Sequence, residues 1–181
     1  MKIAVFEVEE WELPAFDEIK KDHEVVTVHE PLNPGNAGEY ADADIVSTFI
    51  YSELRKGTLE KLNALKLIAT RSTGFDHIDL GYCREHGVTV SNVPHYGETT
   101  VAEHVFGLLL TISHRLADAI DRTRKGDFSQ TGLRGFDLLG KTLGVVGTGG
   151  IGRHVIDIAK GFSMDVIAFD VAPDKKFAEE R

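Results

Sequence analysis

Residues 147 to 152 read Gly-Thr-Gly-Gly-Ile-Gly, a match to G-x-G-x-x-G, and an acid, Asp170, stands 18 positions beyond the last of them. Alone the pattern is weak. Here it follows the apolar run TLGVV and opens a segment in which Ile151, Val155, Ile158, Ala159 and Phe162 recur on one helical face. A second strand-like run, MDVIAFD, then ends on Asp170. Strand, glycine turn, helix and acid-tipped strand are the parts of a dinucleotide-binding turn. Gly147 permits the tight reversal, Gly149 lets a pyrophosphate approach the backbone, and Gly152 lets helix and strand pack closely. The helix N-terminus supplies partial positive charge to the phosphates. The expected cofactor-binding residues are Gly147, Thr148, Gly149, Gly150, Ile151, Gly152 and Asp170.

Asp170 would accept hydrogen bonds from ribose hydroxyls and repel a 2′-phosphate, and Val171 follows it where an Arg would welcome that phosphate. NAD is therefore expected over NADP, with Lys175 and Lys176 close enough to keep NADP open. The plainer alternative is a glycine-rich turn with an incidental acid.

No other constellation carries chemistry. His95 follows Pro94, and His104 follows Glu103 on a helical segment, where neighbours point about 100° apart and do not pair. The remaining histidines lack metal-ligand spacing, and one cysteine, Cys83, makes neither a zinc site nor a disulfide. No catalytic residue and no metal ligand is expected within these 181 residues.

The elements that must position the turn come first along the chain. KIAVFEV, HEVVTVHE, ADIVSTFI, KLIATRST and VTVSNVP read as strands, separated by helical stretches at PAFDEIKKD, SELRKGTLEKLNAL and DHIDLGYCREHG. This alternation predicts an α/β protein with a flavodoxin-like parallel sheet, a mixed α+β sheet being the alternative. The segment ETTVAEHVFGLLLTISHRLADAIDRTRKGDF follows, with Thr100 and Glu103 at capping-box spacing. Its apolar residues cover much of the circumference, as in a helix between domains or subunits, or an ordinary core helix.

Asp and Glu outnumber Lys and Arg by 29 to 20, giving a formal charge of −9. That balance disfavours nucleic acid or an anionic membrane as partner. No apolar run is long enough for a membrane span, the N-terminal run lacks the features of a signal peptide, and the lone cysteine suits a cytoplasmic location.

The segments LKLIATRSTGFDHIDL, VTVSNVPHYGETTVAEHVFGLLL and LLGKTLGVVGTGGIG, in this order, resemble the D-isomer-specific 2-hydroxyacid dehydrogenases, nearest to the D-lactate dehydrogenase branch. The resemblance implies a substrate domain over residues 1–98, then an interdomain helix and an incomplete Rossmann domain over 99–181. It implies that Ser72, Thr73 and Gly74 offer N–H groups to a substrate carboxylate, and that Phe49, Tyr51 and Tyr96 line or close the pocket. Read by themselves, Phe49 and Tyr51 could equally be core aromatics, and Ser72 to Gly74 a polar turn. Gly150 stands where the family often has a polar or basic residue.

The family's Arg, Glu and His lie beyond residue 181, so this chain alone is expected to be inactive: the front portion of an NAD-dependent oxidoreductase interconverting 2-oxo and D-2-hydroxy acids, from a family of dimers. The alternatives are a non-catalytic carboxylate- or nucleotide-binding module, and a subunit completed by another chain.

Overall fold

The apolar runs pair as the alternation requires. The computed structural model describes residues 1–181 and divides into two units, Met1–Pro94 and His95–Arg181. In the first, β1 (Lys2–Val5), β2 (Glu24–Thr27), β3 (Ile45–Thr48), β4 (Leu67–Thr70) and β5 (Thr89–Ser91) form a sheet of order β2-β1-β3-β4-β5. Every pairing is parallel, which rules out the mixed sheet and gives the flavodoxin-like order. Ile3, Ile45, Leu67 and Thr89 lie in register across one row. Alternate residues face opposite sides: Ala4, Val46 and Ile68 enter one core with Phe6, Leu32 and Leu54, while Ile3, Val5, Val8 and Phe16 form another. Burying a side chain such as Phe6 or Ile68 contributes about 1.5–3 kcal/mol.

The crossovers are shorter than the sequence suggests. PAFDEIKKD yields only the single turn α1 (Leu13–Phe16) and a 3₁₀ turn at Ile19–Lys21, and SELRKGTLEKLNAL yields α2 (Lys56–Leu59). Beyond α2 the chain continues through i→i−3 bonds, Lys61 N–H to Thr58 and Leu62 N–H to Leu59, which bring Leu59 and Leu62 onto the sheet. The next helix, α3 (Leu80–Glu85), is capped by Asp79 accepting from Tyr82 N–H at 3.0 Å, and Gly87 behind it takes φ +69°. Cys83 is buried on α3, and burial pushes its thiol pKa up, as in an inert core cysteine.

The second unit opens with α4 (Glu98–Ser113) and α5 (Leu116–Arg124). The capping box is not formed: Gly97 is the N-cap, so Thr100 and Glu103 lie inside the helix. Nor is the helix continuous. It ends where Ser113 C=O accepts from Phe136 N–H at 2.8 Å, and Arg115 takes the left-handed φ of +53°. Gly135 lies so close that a Cβ there would stand 1.9 Å from the Ser113 carbonyl oxygen.

β6 (Thr142–Val146), α6 (Gly150–Gly161) and β7 (Asp165–Phe169) then make one parallel βαβ unit, followed by α7 (Lys175–Glu180). Ala102 and Phe106 of α4 pack with Val155 and Ala159 of α6, over Leu143, Val145 and Val166 of the sheet. Ile151 is exposed instead of joining that face, and Ile156 is buried. The other face of the two-stranded sheet is bare: Val146 is 87% and Phe169 63% exposed. No helix is long and apolar enough to cross a membrane.

Candidate functional site

Parallel strands place the loops at their carboxyl ends together, and open α/β sheets bind ligands there. In the first unit two charged side chains fix those loops. Arg71, one residue past β4, donates to four acceptors: Phe6 C=O at 3.0 Å, Glu7 C=O at 2.9 Å, Ser47 Oγ at 3.2 Å and Glu12 Oε1 at 3.1 Å. Glu7 lies past β1 with φ +58°, a left-handed conformation costing a non-glycine residue about 1–2 kcal/mol. Its carboxylate reaches the loop after β3, accepting from Phe49 N–H at 2.6 Å, Ser52 N–H at 3.1 Å, Ser52 Oγ at 3.0 Å, and Tyr51 N–H. The loop carrying Phe49 and Tyr51 is thus suspended from one acid.

Tyr51 is 75% exposed, so it is no core aromatic; Phe49 is half-buried. Ser72 is buried, its Oγ 2.6 Å from Thr70 Oγ1 and donating to Gly74 C=O at 2.7 Å. Thr73 and Gly74 are exposed, and their N–H groups donate to no acceptor within the protein. Thr73 is anchored from behind, Oγ1 to Val93 C=O at 2.9 Å and its own C=O to Asn92 Nδ2 at 2.8 Å. Outward, unused N–H groups on a braced turn can receive an anion. Tyr96 is exposed and belongs to the second unit.

In the second unit the glycine turn has the backbone its sequence demands. Gly147 takes φ +96° and donates its N–H to Phe169 C=O at 2.7 Å. A Cβ on Gly152 would stand 2.0 Å from Gly147 O and 3.7 Å from Val145 Cγ1, so α6 packs against the turn at a distance only glycine permits. A Cβ on Gly149, the N-cap of α6, would meet no protein atom within 4 Å. Asp170 closes the rim, accepting from Thr148 N–H at 2.5 Å, Thr148 Oγ1 at 2.9 Å and Ala172 N–H at 2.9 Å. These bonds, that from Ala172 foremost, hold its pKa below the ordinary 3.8. Because unfolding releases them, they stabilise the turn above pH 3.8 and are lost as pH falls through the lower folded value. Asp170 is therefore ionised at neutral pH. A cavity of about 210 Å³, lined in part by Thr148, Asp170 and Phe177, opens beside it.

Neither Arg71 nor Glu7 stands out in the sequence, because their partners are up to 65 positions away. Nor does Arg153, whose Nε donates to Thr148 C=O at 3.0 Å and Nη2 to Asp174 at 2.9 Å, bracing the turn from outside. No group of three His, Cys, Asp or Glu side chains is placed to hold a metal ion. Burial lowers the pKa of His77, against an opposing rise from nearby Glu7.

A family model described as the catalytic domain of D-isomer specific 2-hydroxyacid dehydrogenases matches residues 3–148. The chain belongs to this family. A 2-hydroxyacid dehydrogenase homolog from Schizosaccharomyces pombe is 36% identical over 97% of this chain and 54% of its own length. D-lactate dehydrogenase from Escherichia coli is 35% identical over 96% of this chain and 54% of its own. The structure of Aquifex aeolicus D-lactate dehydrogenase, complexed with NAD and lactic acid, aligns with TM-score 0.89 and 36% identity, covering 98% of this chain and 54% of that one. The chain thus spans about half the length of these 2-hydroxyacid dehydrogenases.

Proposed function

We propose that these residues form the front portion of an NAD-dependent oxidoreductase that interconverts a 2-oxo acid and its D-2-hydroxy acid. The observation that carries this reading is the turn from Gly147 to Gly152, closed at its rim by an ionised Asp170. Bound NAD would supply or accept the hydride at the C2 carbon of the acid. In this reading Gly149, Gly150 and Ile151 present the N-terminus of α6 to the diphosphate. Asp170 Oδ1, which spends one bond on Ala172, retains acceptor capacity for a ribose hydroxyl. The exposed N–H groups of Thr73 and Gly74 hold the substrate carboxylate, and Phe49 and Tyr51, fixed by Glu7, face its side chain. Ser72 and Tyr96 are carried as site residues by the family resemblance.

The test of the cofactor assignment is Asp170→Ala, titrated with NADH and NADPH. Wild type should prefer NADH, and the variant should lose about tenfold of that preference, the order of one pKa unit's worth of differential charge interaction. Unchanged discrimination removes Asp170 from the cofactor site.

The chain is further proposed to be cytoplasmic and to self-associate. Val105, Leu108 and Ile112 of α4 are exposed, as is the bare face of β6 and β7. Light scattering should give a mass above 19.9 kDa at micromolar concentration; a clean monomer throughout argues against association. In the same preparation NADH oxidation with pyruvate should stay at background, since the family resemblance implies that its Arg, Glu and His come from other residues than these.

A further inference from the structure

α4 and α6 meet at their N-terminal ends through one acid. A Cβ built on Gly150 would lie 2.0 Å from Glu98 Oε1, 2.2 Å from its Cδ and 2.6 Å from Oε2. The volume that a side chain at position 150 would fill is therefore taken by the Glu98 carboxylate. His95 holds that carboxylate from the other side, Nδ1 to Oε1 at 2.9 Å. The carboxylate oxygen accepts in this contact, so Nδ1–H is the donor. The Glu98 side chain is only 27% exposed. His95, Glu98 and Gly150 all belong to the second unit.

Gly150 is the first residue of α6, directly after its N-cap Gly149. An acid packed there sits in the favourable field of the helix N-terminus, so it stabilises the turn when no ligand is present. The same field is what the turn offers to a diphosphate. We propose that Glu98 acts as an electrostatic brake on this site, competing with the diphosphate of the dinucleotide for the N-terminus of α6. The inference rests on the assignment of the Gly147–Gly152 turn to a dinucleotide. A diphosphate entering the turn either displaces Glu98 from its contact with Gly150 or binds beside its negative charge. Both routes weaken binding relative to the same turn without the acid. Gly150 is the permissive half of the pair, since any larger residue would push the carboxylate out. The obstacle it would meet is the end of a flexible side chain, not backbone, so such a substitution is tolerated.

The test uses the chain with two probes, ADP-ribose, which carries the diphosphate, and adenosine, which does not. Glu98→Gln should tighten ADP-ribose by about threefold to tenfold at low ionic strength, the effect of one nearby charge across partly solvated space. Adenosine binding should be unchanged, and the gain on ADP-ribose should shrink in 1 M salt, where screening reaches about 3 Å. Gly150→Ala, which evicts the carboxylate by its methyl group, should also tighten ADP-ribose, and the double variant should gain little beyond Glu98→Gln. If wild type binds ADP-ribose and Glu98→Gln binds it no better, the brake is refuted and the dinucleotide assignment stands. Equal tightening of adenosine refutes the electrostatic account as well. If neither protein binds ADP-ribose, the assignment of the turn fails and the brake fails with it.

Discussion

Replacing Gly152 by alanine should weaken dinucleotide binding sharply and loosen the second unit together. The new methyl would stand 2.0 Å from the carbonyl oxygen of Gly147 and 3.0 Å from its carbon, both backbone atoms of the turn itself. No rotamer change relieves such a collision. α6 and the turn must move apart, and a shift of α6 disturbs the packing of Val155 and Ala159 with Leu143, Val145 and Val166. Overpacking of this kind costs about 1–3 kcal/mol, and the displaced amides no longer converge on one anion. NADH affinity should fall more than about tenfold on that cost. Two neighbouring glycines separate the effects. Gly149→Ala places its methyl in open space, so the fold should persist while the approach of a diphosphate is obstructed. Gly161→Ala also meets nothing, and at the end of α6 it should leave binding intact and raise stability by up to about 1 kcal/mol. Circular dichroism melts alongside NADH titrations of the three variants make the check. A Gly152→Ala protein that binds NADH normally would show that the turn does not need this close approach.

Arg71→Ala should be the most damaging change in the first unit. Arg71 and Glu12 are only 21% and 16% exposed, and the guanidinium answers one acceptor on β3 and three on the segment that follows β1. Deletion leaves Glu12 a half-buried acid without its cation and leaves the Phe6 and Glu7 carbonyls without this donor. Breaking a buried pair from one side costs about 3–5 kcal/mol, and the residual exposure here places the loss near 3 kcal/mol. The damage should spread beyond the pair. Without the bond to its carbonyl, Glu7 is less firmly held at φ +58°, and its carboxylate organises Phe49, Tyr51 and Ser52. Amide hydrogen exchange reads this directly. The N–H groups of Phe49, Tyr51 and Ser52 should exchange at least tenfold faster, while ladder amides of β6 and β7 keep their wild-type rates. Because the chain has two units, a single melting temperature would blur what site-resolved exchange separates. Unchanged exchange at those three amides would mean that Arg71 does not support the loop.

The sequence was most legible where one residue type meets a backbone demand. Gly147 and Gly152 announce themselves because a positive φ and a 2.0 Å clearance admit nothing else, and spacing alone leads from them to Asp170. The sheet was legible for a related reason: its three inner strands are short, largely apolar runs that are mostly buried. Competing local signals were less reliable. Thr100 and Glu103 have capping-box spacing, yet Gly97 starts α4 three residues earlier, so the two side chains never face free N–H groups. The helix through Ser113 looks continuous until Phe136, 23 positions on, claims its carbonyl. Glu7 with Phe49, Arg71 with Phe6 and Glu98 with Gly150 were invisible because each pair is joined only by the fold.

The placement of β1 has a consequence for how the polypeptide is made. It is the first strand of this sheet to leave the ribosome, and it ends up flanked by β2 on one side and β3 on the other. Each later strand of that sheet adds to an edge already present, never between two strands already joined. Every ladder of the sheet is contained in residues 2–91. All four of those ladders can therefore form before the glycine turn is translated.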